Sequence, residues 1–118
     1  MATSFDGLTV AQVMSRFVAC ATSVGYCRDS GRQDFGDVIQ GDVDKLTSLL
    51  RMIDSNWIDS LKGVVQSQAD PWVKYFALIS IGKVQPTCVI EELEALAHAE
   101  AGLSSAAAQM AVFQFRRG

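Results

Sequence analysis

Histidine is nearly missing from this sequence: His98 stands alone among 118 residues. Any mechanism that needs an imidazole must use that one side chain. Proline occurs twice and glycine nine times, so the chain is neither collagen-like nor of low complexity. Long apolar runs are missing too. The richest stretches, residues 64–65 and 76–81, fall far short of the about 20 residues that span a bilayer, so no membrane association is expected. Residues 1–7 show no basic stretch leading into an apolar one. No secretory leader is therefore expected, and a cytoplasmic location is. Basic clusters are scarce. Lys and Arg total 10 against 13 acids, for a formal charge of −3, and Arg116 with Arg117 makes no basic patch. Phosphate backbones are held by Lys and Arg, so nucleic acid is not an expected partner. Cys20, Cys27 and Cys88 are odd in number and match no zinc or redox spacing. Cys20 and Cys27 lie two helical turns apart, beyond the reach of a disulfide. Buried, reduced thiols are expected.

Apolar residues, at 49%, are plentiful, and charged residues make up only 19%. That balance excludes a disordered chain. A chain of this length forms one domain, residues 1–118, and buries roughly 65% of its unfolded surface, enough for a core without metal or disulfide staples.

The apolar residues recur at helical spacing, with no sustained alternation. Thr9-Val10-Ala11-Gln12 fits a capping box. It opens a stripe of Val10, Val13, Met14, Phe17, Val18, Ala21 and Val24, with Gly25 at or near its end. Phe35, Val38, Ile39, Val43, Leu46, Leu49, Leu50 and Ile53 form a second stripe. Gly41-Asp42 interrupts it, and one long helix or two short ones both fit. Asp54 or Ser55 caps a third helix carrying Trp57, Ile58, Leu61, Val64 and Val65. Asp70-Pro71 is the sharpest boundary. The carboxylate caps free amides, and the proline ring presets the first helical angle. Val73, Phe76, Ala77, Ser80, Ile81 and Val84 follow, and Gly82 with Pro86 closes that helix. Thr87 is expected to cap a fifth helix carrying Val89 or Ile90, Leu93, Leu96 and Ala97, ended by Gly102. Ser104 or Ser105 starts a sixth, with Ala107, Met110, Ala111 and Phe113 on its buried stripe.

The expected fold is all-α, with about six helices as stacked antiparallel hairpins. Residues 9–54 form the N-terminal helices and a cap, 55–84 a first hairpin, and 87–115 a second, at a period near 30. A closed helical bundle is the alternative.

The run Asp70-Pro71-Trp72-Val73-Lys74-Tyr75-Phe76-Ala77-Leu78-Ile79-Ser80-Ile81-Gly82 resembles the second helix of a HEAT-type repeat, with its Asp-Pro, its Val and basic residue, its small residues and its Gly. From about Val13 onward the layout is similar to the bacterial domain of unknown function 2019 family. The likeness rests on Gly41-Asp42 within a long helix, on the Asp70-Pro71 helix, and on the closing stretch from Gly102 through Met110-Ala111-Val112-Phe113 to Arg116. The resemblance implies a HEAT-like helical fold and transfers no catalytic residue. The chain departs from it in the aromatic run Trp72-Val73-Lys74-Tyr75 and in carrying Ser where the repeat often has Ala.

No catalytic residue, cofactor or metal site is expected. Glu91 and Glu94 share a helix face with His98, but one face of one helix supplies too few ligands. A pairing of His98 with Glu94 is expected instead. Cys88 stands ten residues from His98, about 15 Å along a helix. Neither a nucleophile elbow nor a phosphate loop is present. Acid pairs such as Asp37 with Asp42, or Asp54 with Asp59, read as surface charge.

Recognition of a protein remains. Trp72 and Tyr75 sit three apart with Lys74 between them, at a repeat position usually exposed, and Trp and Tyr dominate interface hot spots. Trp57 and Asp59 border the same ridge, with Asp54 beside them. Asp54, Trp57, Asp59, Trp72, Lys74 and Tyr75 are thus the expected partner surface. A competing reading packs Trp72 on the preceding helices as the edge of the core. The expected function is a non-enzymatic protein-binding module, an immunity or inhibitor protein that occludes a bacterial toxin or another basic partner. A mean hydropathy of +0.19 supports one alternative, a self-associating scaffold built as a homodimer. An unrecognised enzyme is the third reading.

Overall fold

A computed structural model describes residues 7–100 and 102–117. Of the segment read for a leader, all but Gly7 lies outside the described residues. Six α-helices run in order: α1 Val10–Asp29, α2 Gln33–Ile53, α3 Trp57–Ser67, α4 Pro71–Gly82, α5 Ile90–Ala99 and α6 Leu103–Arg117. A 3-10 turn at Pro86–Cys88 precedes α5, and no strand occurs among the described residues.

Local chemistry accounts for most of the boundaries. The Gln12 N–H donates to Thr9 Oγ1 at 3.2 Å, and the Thr9 N–H donates to Gln12 Oε1 at 2.9 Å, completing the capping box that opens α1. The Trp72 N–H donates to Asp70 Oδ1 at 2.8 Å, with Pro71 at the first helical position of α4. Gly102, at φ +88, takes the left-handed turn into α6 that a side chain would strain.

The end of α1 and the starts of α3 and α5 differ from expectation, and α2 takes the one-helix alternative. Helix α1 runs past Gly25 to Asp29. Helix α2 is continuous over 21 residues, through Gly41. A mid-helix glycine costs about 1 kcal/mol, less than the burial of Val43, Leu46 and Leu50 contributes on the same helix. Thr87 caps nothing, because it lies in the 3-10 turn and α5 starts after Val89 without a side-chain cap. At α3 the residue at the N-cap is Asn56; Asp54 instead accepts the Asn56 N–H at 2.9 Å and the Ser60 hydroxyl at 2.8 Å.

The helices pair as hairpins, α1 with α2, α3 with α4 and α5 with α6. Helix α4 is the hub and touches α1, α3, α5 and α6. Its composition explains this position. Only Lys74 among its 12 residues is charged, and a helix apolar all round must be covered all round. Helix α1 reaches both α4 and α6, while α2 packs chiefly on α1 at the edge of the array. Phe17, Leu46, Leu50, Leu61, Leu78, Ile81 and Leu93 are fully buried between these layers.

The seam between α1 and α4 is unusually close. A Cβ at Gly25 would lie 2.6 Å from Trp72 Cβ. The Trp72 ring fills this seam and is 5% exposed. It stacks on Phe76 at 5.9 Å, meets Tyr75 edge-on at 5.7 Å, and donates its indole N–H to the Asp29 carboxylate at 3.0 Å. Trp72 is therefore core, which corrects the expectation of an exposed anchor. Its cause is the bare Gly25, which lets the ring lie against the α1 backbone. At the other end of α4, Gly82 serves Phe115 in the same way: a Cβ there would lie 2.5 Å from the Phe115 ring.

Two stripes are out of phase with expectation. On α6 the buried positions are Ser104, Ala108 and Ala111, whereas Met110 and Phe113 are 64% and 62% exposed. On α2, Phe35 and Val38 face solvent, and beyond the buried Gly36 the first buried residue is Val43.

Candidate partner-binding surface

The six residues expected to share one surface are divided among three places. Asp54, Trp57 and Asp59 lie at the start of α3. The chain then runs along α3 for about 15 Å before reversing into α4. Trp57 and Trp72 thus stand at opposite ends of the α3–α4 hairpin. Trp57 is half-buried, with the Arg51 guanidinium over its ring at 5.8 Å, and Asp59 is exposed. Lys74 and Tyr75 are neighbours in sequence, but successive helical residues point about 100° apart, and they enter different clefts. Lys74 lines a cleft of about 220 Å³ between α4 and α5, together with Val65, Leu78, Glu92, Leu96 and Glu100. Tyr75 lines a second cleft, of about 300 Å³, with Trp72, Arg28, Gln40, Met110 and Gln114.

The second cleft joins the α1–α2 hairpin to α4 and α6. The sequence readily suggests Trp72 and Tyr75 as part of it, but not the other four. Arg28 belongs to the last turn of α1 and Gln40 to the middle of α2, and no spacing rule links either to α6. Arg28 donates to Asp37 Oδ1 at 3.1 Å and to Gln40 Oε1, which fixes the guanidinium across the α1–α2 hairpin. Burial pushes the Tyr75 hydroxyl above its ordinary 10.0, with Arg28 partly opposing that shift. At neutral pH the phenol keeps its proton and offers both a donor and an acceptor. The Trp72 edge and the Met110 thioether supply the apolar part.

The groups with catalytic potential lie elsewhere. His98 is exposed on α5, and the Glu94 carboxylate expected beside it is bonded by Arg116 of α6. All three cysteines are free, but only Cys27 is buried; Cys20 is half-buried and Cys88 is exposed, which corrects the expectation of three buried thiols. Burial, and then the Asp42 charge, push the Cys20 thiol up, away from the reactive thiolate. Among the described residues no three His, Cys, Asp or Glu gather where a metal could be held. Nor is any described helix long and apolar enough to cross a membrane.

Fold and cleft together define an all-α domain of packed helical hairpins with a mixed polar and aromatic groove on one side. No family model, no curated protein and no solved structure matches this chain.

Proposed function

We propose that this chain is a non-enzymatic protein-binding module of the inhibitor kind, best fitted to a cytoplasmic immunity protein that occludes a bacterial toxin or another basic partner. The observation that carries this reading is the groove formed by Tyr75, Trp72, Met110, Arg28, Gln40 and Gln114. Tyr, Met and Arg are enriched where proteins bind proteins. Asp37, ion-paired with Arg28, places an acid beside the groove on the α2 side. A Lys or Arg of the partner entering past Asp37 meets the Tyr75 hydroxyl, and its aliphatic stem meets Met110. The HEAT-like fold and the family resemblance belong to the same proposal. Their support is the Asp70-Pro71 helix, capped as that motif requires, and the unbroken helix around Gly41-Asp42.

The test is capture from the native host followed by an activity assay. Gln114→Trp fills the groove from its exposed rim and should abolish capture of the partner. Asp59→Ala, at the far end of the α3–α4 hairpin, should leave it intact. The captured protein, once identified, should lose activity in the presence of the wild-type chain. Equal capture by both variants, or a captured protein whose activity is unchanged, refutes the proposal.

A further inference from the structure

The cleft between α4 and α5 holds charges that the Tyr75 groove does not use. Glu92, Ala95, Leu96, Ala99 and Glu100 succeed one another at spacings of three, one, three and one, which is a single face of α5. That face lines the cleft together with Lys74 and Leu78 of α4 and Val65 of α3. The hollow is there because Ala95 and Ala99 are small; longer side chains at those positions would fill it.

The charges stand at its two ends. A Cβ at Gly82 would lie 3.0 Å from Val89 Cγ2, so the end of α4 meets the start of α5 and the chain doubles back. Lys74, in the first turn of α4, therefore lies toward Glu100, which follows the last residue of α5. Glu92 belongs to the first turn of α5, about 12 Å along the helix from Glu100. Lys74 and Glu100 are half-buried, and Glu92 is exposed. Among the described residues none forms an ion pair with these three.

These features specify a ligand. A cation and a carboxylate at one end match an α-carboxylate and an α-ammonium. Only a free amino acid carries both on one carbon; a residue inside a peptide carries neither. The apolar wall of Leu78, Ala95 and Leu96 suits an aliphatic stem. Glu92 then calls for a cation at the far end of that stem. One Lys against two Glu leaves the cleft one negative charge in excess, which a basic amino acid neutralises. Sites for drug-sized ligands hold roughly 300–1,000 Å³. The about 220 Å³ here suits a smaller molecule.

We propose that the α4–α5 cleft binds a free basic amino acid, lysine or arginine, with its carboxylate on Lys74, its α-ammonium on Glu100 and its side-chain cation at Glu92. This does not rest on the Tyr75 groove. It adds a small-molecule site to a chain otherwise read as binding a protein.

The test is titration of the isotope-labelled full chain with L-lysine at constant ionic strength, followed through its amide resonances. Saturable shifts are expected at residues 74–78 and 92–100. Norleucine has the same stem without the terminal cation, and should bind about two- to fivefold more weakly, the range of one exposed ion pair. Glu92→Gln should weaken lysine by that factor and leave norleucine unchanged, a split that a merely structural role would not produce. Lys74→Met keeps the stem, removes the charge, and should weaken both. Lysine blocked as its Nα-acetyl amide has neither main-chain charge and should give no saturable shift. The proposal is overturned if neither lysine nor arginine gives saturable shifts, or if the blocked form binds as tightly as lysine. It is equally overturned if Glu92→Gln weakens norleucine as much as lysine, or if Lys74→Met leaves both unchanged.

Discussion

Replacing Trp72 with Ala empties the seam between α1 and α4, and the structure sets the size of the effect. The side chain is 5% exposed, so nearly all of its surface is already withdrawn from water. Truncating a buried Trp or Phe to Ala costs about 3–5 kcal/mol, the spread reflecting how well the site collapses. Here collapse is poor. Gly25 lies directly across the seam and has no side chain to move into the void. The contacts with Phe76 and Tyr75 go as well. The lost indole bond to Asp29 adds little, since the exposed Asp29 carboxylate turns to water. We therefore expect about 4 kcal/mol, a large part of the roughly 5–15 kcal/mol that stabilises a domain. At about 4 °C per kcal/mol, melting falls by about 15 °C. Urea unfolding followed by circular dichroism measures the first quantity and a thermal scan the second. Trp72→Phe separates the contributions: it keeps most of the ring but loses the N–H, and should cost about 1–2 kcal/mol. A Trp72→Ala variant that loses under about 1 kcal/mol would refute the core placement and return the ring to the surface.

Gly25→Ala gains about 0.5–1 kcal/mol of helix propensity but sets a methyl 2.6 Å from Trp72 Cβ, where overpacking costs about 1–3 kcal/mol. Net destabilisation in urea is expected, and a more stable variant would show that the seam is looser than described. Asp70→Ala removes the side-chain cap of α4 and should lower stability by about 1 kcal/mol, with no loss in Asp70→Asn. Tyr75 supplies a pH dependence. Its folded value lies above the ordinary 10.0, so the folded state keeps a proton that the unfolded chain releases. Stability therefore falls as pH rises past about 10, until the folded hydroxyl also ionises. Tyr75→Phe should flatten that fall above about pH 10, and an unchanged slope in the variant counts against the buried phenol.

The helices and several of their ends were legible because they depend on neighbours in sequence. The Thr9–Gln12 box, the Asp70-Pro71 start and the left-handed Gly102 are local devices, and each operates as its residues dictate. What was not legible depends on contacts between distant segments. Gly25 reads as a helix end because glycine is a weak helix former, yet its use is to admit the Trp72 ring from 47 positions away. The same contact buries Trp72 and leaves only its edge at the groove. The groove was half legible for the same reason. Tyr75 could be suggested from its residue type, but Arg28 and Gln40 reach it only because α1 and α2 fold back beside α4.

Helix α6 shows the limit of periodicity itself. A spacing of three and four defines a stripe but not which way the stripe faces, and α6 carries two stripes. One has large residues, Leu103, Met110 and Phe113, and by size alone it should be inside. The other has Ser104, Ala108 and Ala111, and it is the one buried. Packing explains the choice. The hub α4 and the short hairpin partner α5 both press on α6, and small residues let the axes approach where large ones would hold them apart. The bulky stripe is then left outside. Single exposed apolar residues are ordinary, but three large ones in register along one charge-free helix face form a patterned patch. Within the domain, the Arg117 guanidinium lies over the exposed Phe113 ring at 5.5 Å. The phase that sequence spacing left open is thus set by how closely α6 must approach α4 and α5.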